Sequence, residues 1–348
     1  MKTLDAQQAA DYLEVSKATL YAYVSRGLLE PIGGPNRRSL YPLFQLEQLR
    51  LQRARPRQAA QSALDWGLPS LPSQICQIQQ GELFYRARPA LQLAQEKSLA
   101  EVAAWLWRSS TPSELGLAEA RPLPGPKNLV QMLSWLAQQM ETDHSSWTLH
   151  PDSVVKTGWT IFQTFLGALP YPDEGIRQAL ILCADHDLTA STLSARIAAS
   201  TQANPYAVVM AALATLSGSR HGGACALAEA LVEEAARSNP RQALVSRLKR
   251  GDALAGFGHR LYPKGDPRAR LLLGRSPVGQ EWTEAGLEVL GEYPSLDLAL
   301  VLALQLPSGG AFQVFACGRV LGWIAHALEQ YGDPKIIRAR SSTKQGIG

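Results

Sequence analysis

Between residues 99 and 330 the chain presents one apolar helical stretch after another, cut by glycine and proline, with almost no strand-like alternation. Ser98 and Glu101 form a capping box that opens LAEVAAWLW, with Leu99, Val102, Ala103 and Leu106 along one face. After a loop at 116–126, helices are predicted at 129–139 and at 154–169, the second closed by Pro170 and Pro172. Asp173 caps a helix running into CADHDLTAS; helices at 191–203 and after Pro205 follow. The break GSRHGGA precedes ALAEALVEEAAR, and stretches at 298–306 and 312–330 complete the series. Several of these are apolar nearly all round, so the body must be large enough to enclose whole helices. One exception stands at its start, where residues 74–86 alternate around Gln79-Gln80-Gly81-Glu82 as a small hairpin. The expected fold class is all-α.

At 348 residues the chain has room for two or three domains, and the charge places one boundary. Residues 1–60 hold nine Lys/Arg against five Asp/Glu, whereas the rest is balanced at 25 of each, so the whole net charge of +4 sits at the N-terminal end. There Asp5 can cap a helix reaching Leu13, and Ser16 can cap a second, KATLYAYVSR, ended by Gly27. Two short helices joined by a tight turn are a helix-turn-helix, whose second helix enters the major groove. Lys17, Thr19, Tyr21 and Tyr23 lie on or near that helix. LLEPIGGPNRRSLYP then reads as a hairpin wing carrying Arg37 and Arg38, followed by the helix FQLEQLRLQRAR. SKATLYAYVSRGLLEP with RRSLYPLFQLEQLR resembles the winged helix-turn-helix domain of the MerR type, which implies DNA as a partner. A basic packing module that no longer touches DNA is the alternative. The expected organisation is a domain at 1–55, a proline-bearing linker at 56–73 and a body at 74–348.

Four cysteines (Cys76, Cys183, Cys225, Cys317) lie far apart, with no C-x-x-C and no histidine at metal-ligand spacing, so free thiols are expected and no metal site. MKTLDAQQAADYL lacks an apolar core for export, and no run approaches eighteen uncharged apolar residues. A cytoplasmic location without a membrane is expected. A serine elbow, a Walker loop and H-E-x-x-H are all missing, which removes support for hydrolase, nucleotide-phosphate and zincin chemistry.

The most chemical stretch is GFGHRLYPKGDPRAR, residues 256–270. Pro263, Gly265 and Pro267 rule out a continuous helix, so His259 sits on an ordered loop, and Gly256 and Gly258 allow positive φ beside it. A histidine held by stiff loop chemistry beside several guanidiniums suits a small polyanion, with the imidazole donating to a carbonyl. A basic turn with a surface histidine has the same spacing.

In order along the chain, CADHDLTASTLSAR, SGSRHGGA, GFGHR with DPRA seven residues after its histidine, YPSLD, and GRVLGWIAHALEQ with IIRAR resemble the citrate synthase family from about residue 74 to Arg340. The resemblance implies a large helical domain with a small one inserted at about 222–315, a homodimer, and condensation of acetyl-CoA or a short acyl-CoA with oxaloacetate. It implies no metal and no cofactor beyond acetyl-CoA as co-substrate. By the same resemblance Asp297 is the base, His221 the donor to the thioester oxygen and His259 the donor to the keto carbonyl. His186 binds substrate, and Arg268, Arg319 and Arg338 hold carboxylates, Arg338 from the partner subunit. The chain departs from the family pattern with Thr189 in place of Asn and with Leu298-Ala299-Leu300 after the acid. Pro263 replaces a basic residue, which leaves Lys264 as the candidate for CoA. Four glutamates (Glu281, Glu284, Glu288, Glu292) stand where the family often carries cations. Two functions remain open: an active citrate or 2-methylcitrate synthase with an added DNA-binding domain, or a transcriptional regulator whose synthase-like body senses a metabolite or dimerises.

Overall fold

The computed structural model describes residues 3–25, 28–29, 31–33, 39–43, 45–46, 49, 71–115, 125–170, 173–252, 254–274 and 276–338. They fall into two compact units, an N-terminal module and a body, Ser73–Arg338. In the module, Asp5 caps α1 (Ala6–Tyr12) through the Gln8 amide, with the Gln8 side chain returning to the Asp5 backbone. Ser16 Oγ accepts from the Thr19 amide at 3.2 Å and opens α2 (Lys17–Ser25). The expected wing pairs as β2 (Ile32–Gly33) against β3 (Ser39–Pro42), and β3 also takes β1 (Thr3–Leu4) on its other edge. Ala9, Ala10, Leu13, Leu20 and Tyr41 bury against one another between helices and strands. Arg37 and Arg38, and most of the expected helix after the wing, lie outside the described residues.

The body begins with the hairpin β4 (Cys76–Gln79) and β5 (Glu82–Tyr85), turned through Gln80 and Gly81 at φ +52° and +81°. Both positive angles match the right-handed twist of the strands, as a primed turn requires. A second tight turn through Arg86 and Ala87 adds β6 (Arg88–Pro89), which no glycine announces. Helices follow: α3 (Ala90–Glu96), α4 (Leu99–Trp107), α5 (Leu129–Thr142), α6 (Pro151–Leu166), α7 (Glu174–Cys183), α8 (Ala190–Ser200) and α9 (Pro205–Leu216). After them come α10 (Ala224–Ala235), α11 (Pro240–Arg250), α12 (Pro267–Leu273), α13 (Pro277–Leu290), α14 (Leu296–Leu304) and α15 (Gly310–Tyr331). The body is helical, as expected, with the one small sheet at its start.

Two cores organise these helices. The larger gathers apolar faces of α3 to α9 around α15, and the smaller is built from α10 to α14, with Leu231, Leu244, Trp282 and Leu298 at its centre. Among described helices α15 is the one long and apolar enough to cross a membrane, and 83% of its apolar window is buried inside the body. Its glycines explain how so many helices reach it. A Cβ at Gly318 would lie 2.5 Å from the Leu180 carbonyl oxygen, and one at Gly322 would lie 2.1 Å from that of Ala184, so α7 and α15 meet backbone to backbone. On the other side, Gly158 of α6 admits the Ile324 side chain. Replacing Gly322 by alanine must push the end of α7 away. The Gly322→Ala protein is expected to lose about 1–3 kcal/mol in urea unfolding, and an unchanged midpoint would show that the two backbones part freely.

Candidate active site

The end of α7 is fixed first. The Tyr85 hydroxyl, carried in by β5, donates to the Ile181 carbonyl at 3.0 Å and accepts from the Asp185 amide at 3.2 Å. This sets Asp185, fully buried, and His186 just beyond the helix. Asp185 accepts from His326 Nε2 at 2.9 Å and Thr192 Oγ1 at 3.4 Å, and pairs with Arg319 Nη1 at 3.7 Å. Arg319 also donates to Thr189 Oγ1 at 3.3 Å and lies over the Phe315 ring. Its Nε is buried and makes no hydrogen bond among the described residues.

His221 stands in the break between α9 and α10, where Gly222 and Gly223 pack against Leu216 and the Ser217 and Gly218 carbonyls with no space for a Cβ. Ser191 Oγ engages its Nε2 at 2.8 Å, and the ring meets Phe315 edge-on. Burial first, then the Arg319 charge, pulls the His221 pKa from 6.5 down to about 4. The imidazole is therefore neutral at physiological pH, with Nδ1 as the nitrogen left for a ligand.

The loop carrying His259 is stitched to the turn before α14. Ser295 N–H donates to the Gly256 carbonyl and Gly258 N–H to the Tyr293 carbonyl, each at 2.8 Å. Gly256 and Gly258 adopt φ +93° and +69°, and Cβ atoms there would press on Leu298 and Glu292, so the expected need for glycine holds. Leu261 N–H donates to His259 Nδ1 at 3.2 Å, which assigns the ring proton of the neutral form to Nε2. His259 is held below its ordinary pKa by burial and then by Arg268. His186 packs edge-on against it, centroids 5.1 Å apart, and meets the Tyr262 hydroxyl through Nε2 at 2.9 Å. Burial, then Arg268 and Arg319, keeps buried His186 neutral.

Asp266 caps α12 and takes a two-pronged ion pair from Arg268, at 3.0 Å from Nε and 2.7 Å from Nη2. Burial opposes the Arg268 charge, but Asp266 raises its pKa above the ordinary value. Asp297, in the first turn of α14, accepts from the Cys225 thiol at 3.6 Å and from Ser295 Oγ at 3.4 Å. Burial pushes its pKa up, against the pull of Cys225 and Arg268. A raised carboxylate, neutral imidazoles and buried guanidiniums can together accept a proton, donate to oxygen and hold an anion.

Residues 138–340 match the family model described as the citrate synthase C-terminal domain. The chain belongs to the citrate synthase family. Residues 3–54 match the helix-turn-helix domain model. The citrate synthase of Haloferax volcanii is 38% identical over 186 residues, 48% of this chain and 49% of that protein, so the chain spans about half the length of this relative. The match to citrate synthase 2 of Bacillus subtilis likewise covers 51% of that protein. The 2-methylcitrate synthase of Mycobacterium tuberculosis is 27% identical, covering 76% of this chain and 85% of the relative. The Thermoplasma acidophilum citrate synthase, solved with carboxymethyl coenzyme A and oxaloacetate, shares the fold at TM-score 0.63 and 21% identity, over 81% of this chain and 96% of that one.

Within this citrate synthase fold, contacts link His186, His259 and Arg268 through Tyr262, and link His221 and Arg319 through Phe315. Lys264 is exposed, and Arg338 is exposed beyond the end of α15. In the separate N-terminal module Lys17 and Tyr21 face outward, the Thr19 hydroxyl is engaged with Ser16, and Tyr23 packs toward the module's core. Sequence reasoning missed Asp185, Ser191, Cys225, Tyr262, Asp266 and His326, which hold the candidate groups. Asp266 before Pro267 carried a helix-cap signal; His326 lies further along the face of α15 that bears Arg319.

Stability should report the neutral histidines. Below pH 6.5 the unfolded chain takes up a proton that folded His221 refuses until about pH 4, so stability is full above 6.5 and falls across this window. His186 and His259 shift in the same direction. Urea midpoints are expected to drop through that range, with a shallower drop in His221→Gln; a flat profile in the native protein would contradict the assignment.

Proposed function

We propose that the body condenses the acyl group of acetyl-CoA, or a short acyl-CoA, with oxaloacetate, giving citrate or methylcitrate and free CoA. The observation that carries this reading is the backbone pairing of residues 256–258 with 293–295, which makes the His259 loop and the Asp297 helix start one body. Base and electrophile-activating donor thus keep a fixed separation. Asp297, raised by burial, removes a proton from the carbon next to the thioester carbonyl. His221 donates from Nδ1 to the thioester oxygen, with Ser191 donating to Nε2. The resulting enol carbon bonds to the keto carbon of oxaloacetate while His259 donates from Nε2 to the keto oxygen. Water then cleaves the thioester, and CoA leaves as the thiol.

Arg268, Arg319 and Arg338 hold the keto-acid carboxylates, with Arg338 supplied by the partner in a homodimer, and His186 binds the same substrate. Lys264 meets a CoA phosphate. The small domain is the part of 222–315 that surrounds the second core, closing on the first to exclude water. Four buried free cysteines suit a reducing cytoplasm.

A second activity belongs to the N-terminal module, where the helix-turn-helix and the positive charge excess coincide. There Lys17 and Tyr21 of α2, with Arg37 and Arg38, contact DNA. Enzyme and DNA binder are compatible roles in one chain.

Purified protein given oxaloacetate is expected to release thiol from acetyl-, propionyl- or butyryl-CoA. Asp297→Asn should slow that release about 10²–10⁴-fold; no thiol from any of the three would sink the condensation. The full chain is also expected to retard duplex DNA at low salt, with affinity falling as salt rises. Lys17→Gln, or Arg37→Ala with Arg38→Ala, should weaken it, and retardation unmoved by these changes would remove the helix-turn-helix from the contact.

A further inference from the structure

A second basic cluster lies in the body apart from the residues assigned above. Arg86, Arg88, Lys97 and Arg108 line a cavity of about 460 Å³ together with Trp105, Ser109 and Thr111. Among the described residues that line it Glu101 is the one acid, and it is already paired with Lys97 at 2.8 Å. The three arginines are held but not neutralised by what they touch. Arg86 Nε donates to the Leu106 carbonyl at 2.7 Å, Arg108 Nη2 donates to Gln74 Oε1 at 2.7 Å, and Arg88 lies 4.0 Å over the Trp105 ring. Each of these partners is uncharged, so the wall keeps its excess positive charge.

The backbone adds an independent sign. Arg86, in a tight turn, and Arg108, the C-cap of α4, both sit at positive φ, +47° and +51°, where glycine is the unstrained choice. Strain of this kind persists where the surrounding structure has a use for the side chain. Here both side chains face the same cavity. Arg86 is half-buried and its pKa is lowered, by burial first and then by Arg108, with Glu329 opposing, so the like charges are felt across the groove. An anion between them relieves that repulsion.

We propose that this groove binds a small molecule through a diphosphate group. Forked guanidiniums match phosphate oxygens in pairs; the Ser109 and Thr111 hydroxyls beside them already donate, to the Ser110 carbonyl at 3.1 Å and to Glu114 at 2.7 Å, so the guanidiniums carry the recognition. A single carboxylate would leave most of the excess charge unmet, and a monophosphate would meet it only in part. Arg88 covers a face of Trp105, and the diphosphate itself is what the arginines read. The site is independent of whether the body catalyses condensation.

Titration calorimetry on the full chain at low ionic strength, with inorganic pyrophosphate, ATP and AMP as probes, tests this. Pyrophosphate and ATP are expected to bind at least tenfold more tightly than AMP. Equal affinity for the two identifies the diphosphate alone, and tighter ATP identifies a nucleotide as the source. Arg88→Gln with Arg108→Gln should weaken both at least tenfold. Arg108→Gly should weaken them as well while leaving the melting temperature equal or higher, since glycine suits that φ. Absence of binding by pyrophosphate and ATP overturns the proposal. So does affinity unchanged in the double variant, or full displacement by oxaloacetate with acetyl-CoA, which would place the probe in the other site.

Discussion

The carboxylate of Asp185 has no exposed surface, and the body is arranged to make that tolerable. A buried charge costs several kcal/mol unless donors surround it. Here they come from Thr192 on α8 and from Arg319 and His326 on α15, while Asp185 itself follows α7. Three helices must therefore converge on one side chain. They can because Gly318 and Gly322 let α15 touch the α7 backbone, and because Tyr85 ties the last carbonyls of α7 to the sheet. Arg196 extends the network through His326 Nδ1, Gln330 and Glu329. Apolar packing and charge pairing are one constraint in this core, and neither would survive the loss of the other.

The same logic sets the state of the histidines. Arg268 and Arg319 are buried cations on either side of the cluster, one bound by Asp266 and one by Asp185. Each disfavours a further positive charge nearby, so His186 and His221 stay neutral under both burial and repulsion. A neutral imidazole donates one hydrogen bond without competing for the anion that the arginines attract. Asp297 is shifted the other way by the same burial, toward the proton affinity a base needs. Opposite shifts in one cluster follow from one cause acting on groups of opposite charge.

Much of this was legible in the chain. Capping at Asp5, Ser98 and Asp173, the Gln80-Gly81 hairpin and the positive φ of Gly256 and Gly258 all follow from local chemistry, which the fold leaves intact. Helices α11, α12 and α13 were not read, although each opens with a cap residue and a proline at its first position: Asn239-Pro240, Asp266-Pro267 and Ser276-Pro277. Pro267, which rules out a continuous helix before it, also opens a new one after it. The turn at Arg86-Ala87 had no local signal at all, since tertiary contacts impose its positive φ. In the site, the candidate groups His186, His221, His259, Arg268, Asp297 and Arg319 stood out by motif. Cys225, Ser191 and Asp185 did not, because they act on other side chains and are visible only when distant segments meet.

Thr189 shows how such a departure is absorbed. Its hydroxyl takes the Arg319 Nη1 proton at 3.3 Å and also faces Ser191 and Thr192, so the position still helps to orient the guanidinium. Arg319 Nε is left without a partner among the described residues, and an orphaned buried donor costs about 1–3 kcal/mol. Arg268 presents the complementary case, with Nε and Nη2 committed to Asp266 and Nη1 outside that pair. The loop beyond His259 is built differently: Pro263 and Lys264 are exposed, and Glu288 on α13 is spent on Arg241 at 2.8 Å. Buried guanidiniums paired with Asp185 and Asp266 are set by the fold itself, whereas Pro263 and Lys264 stand at the surface.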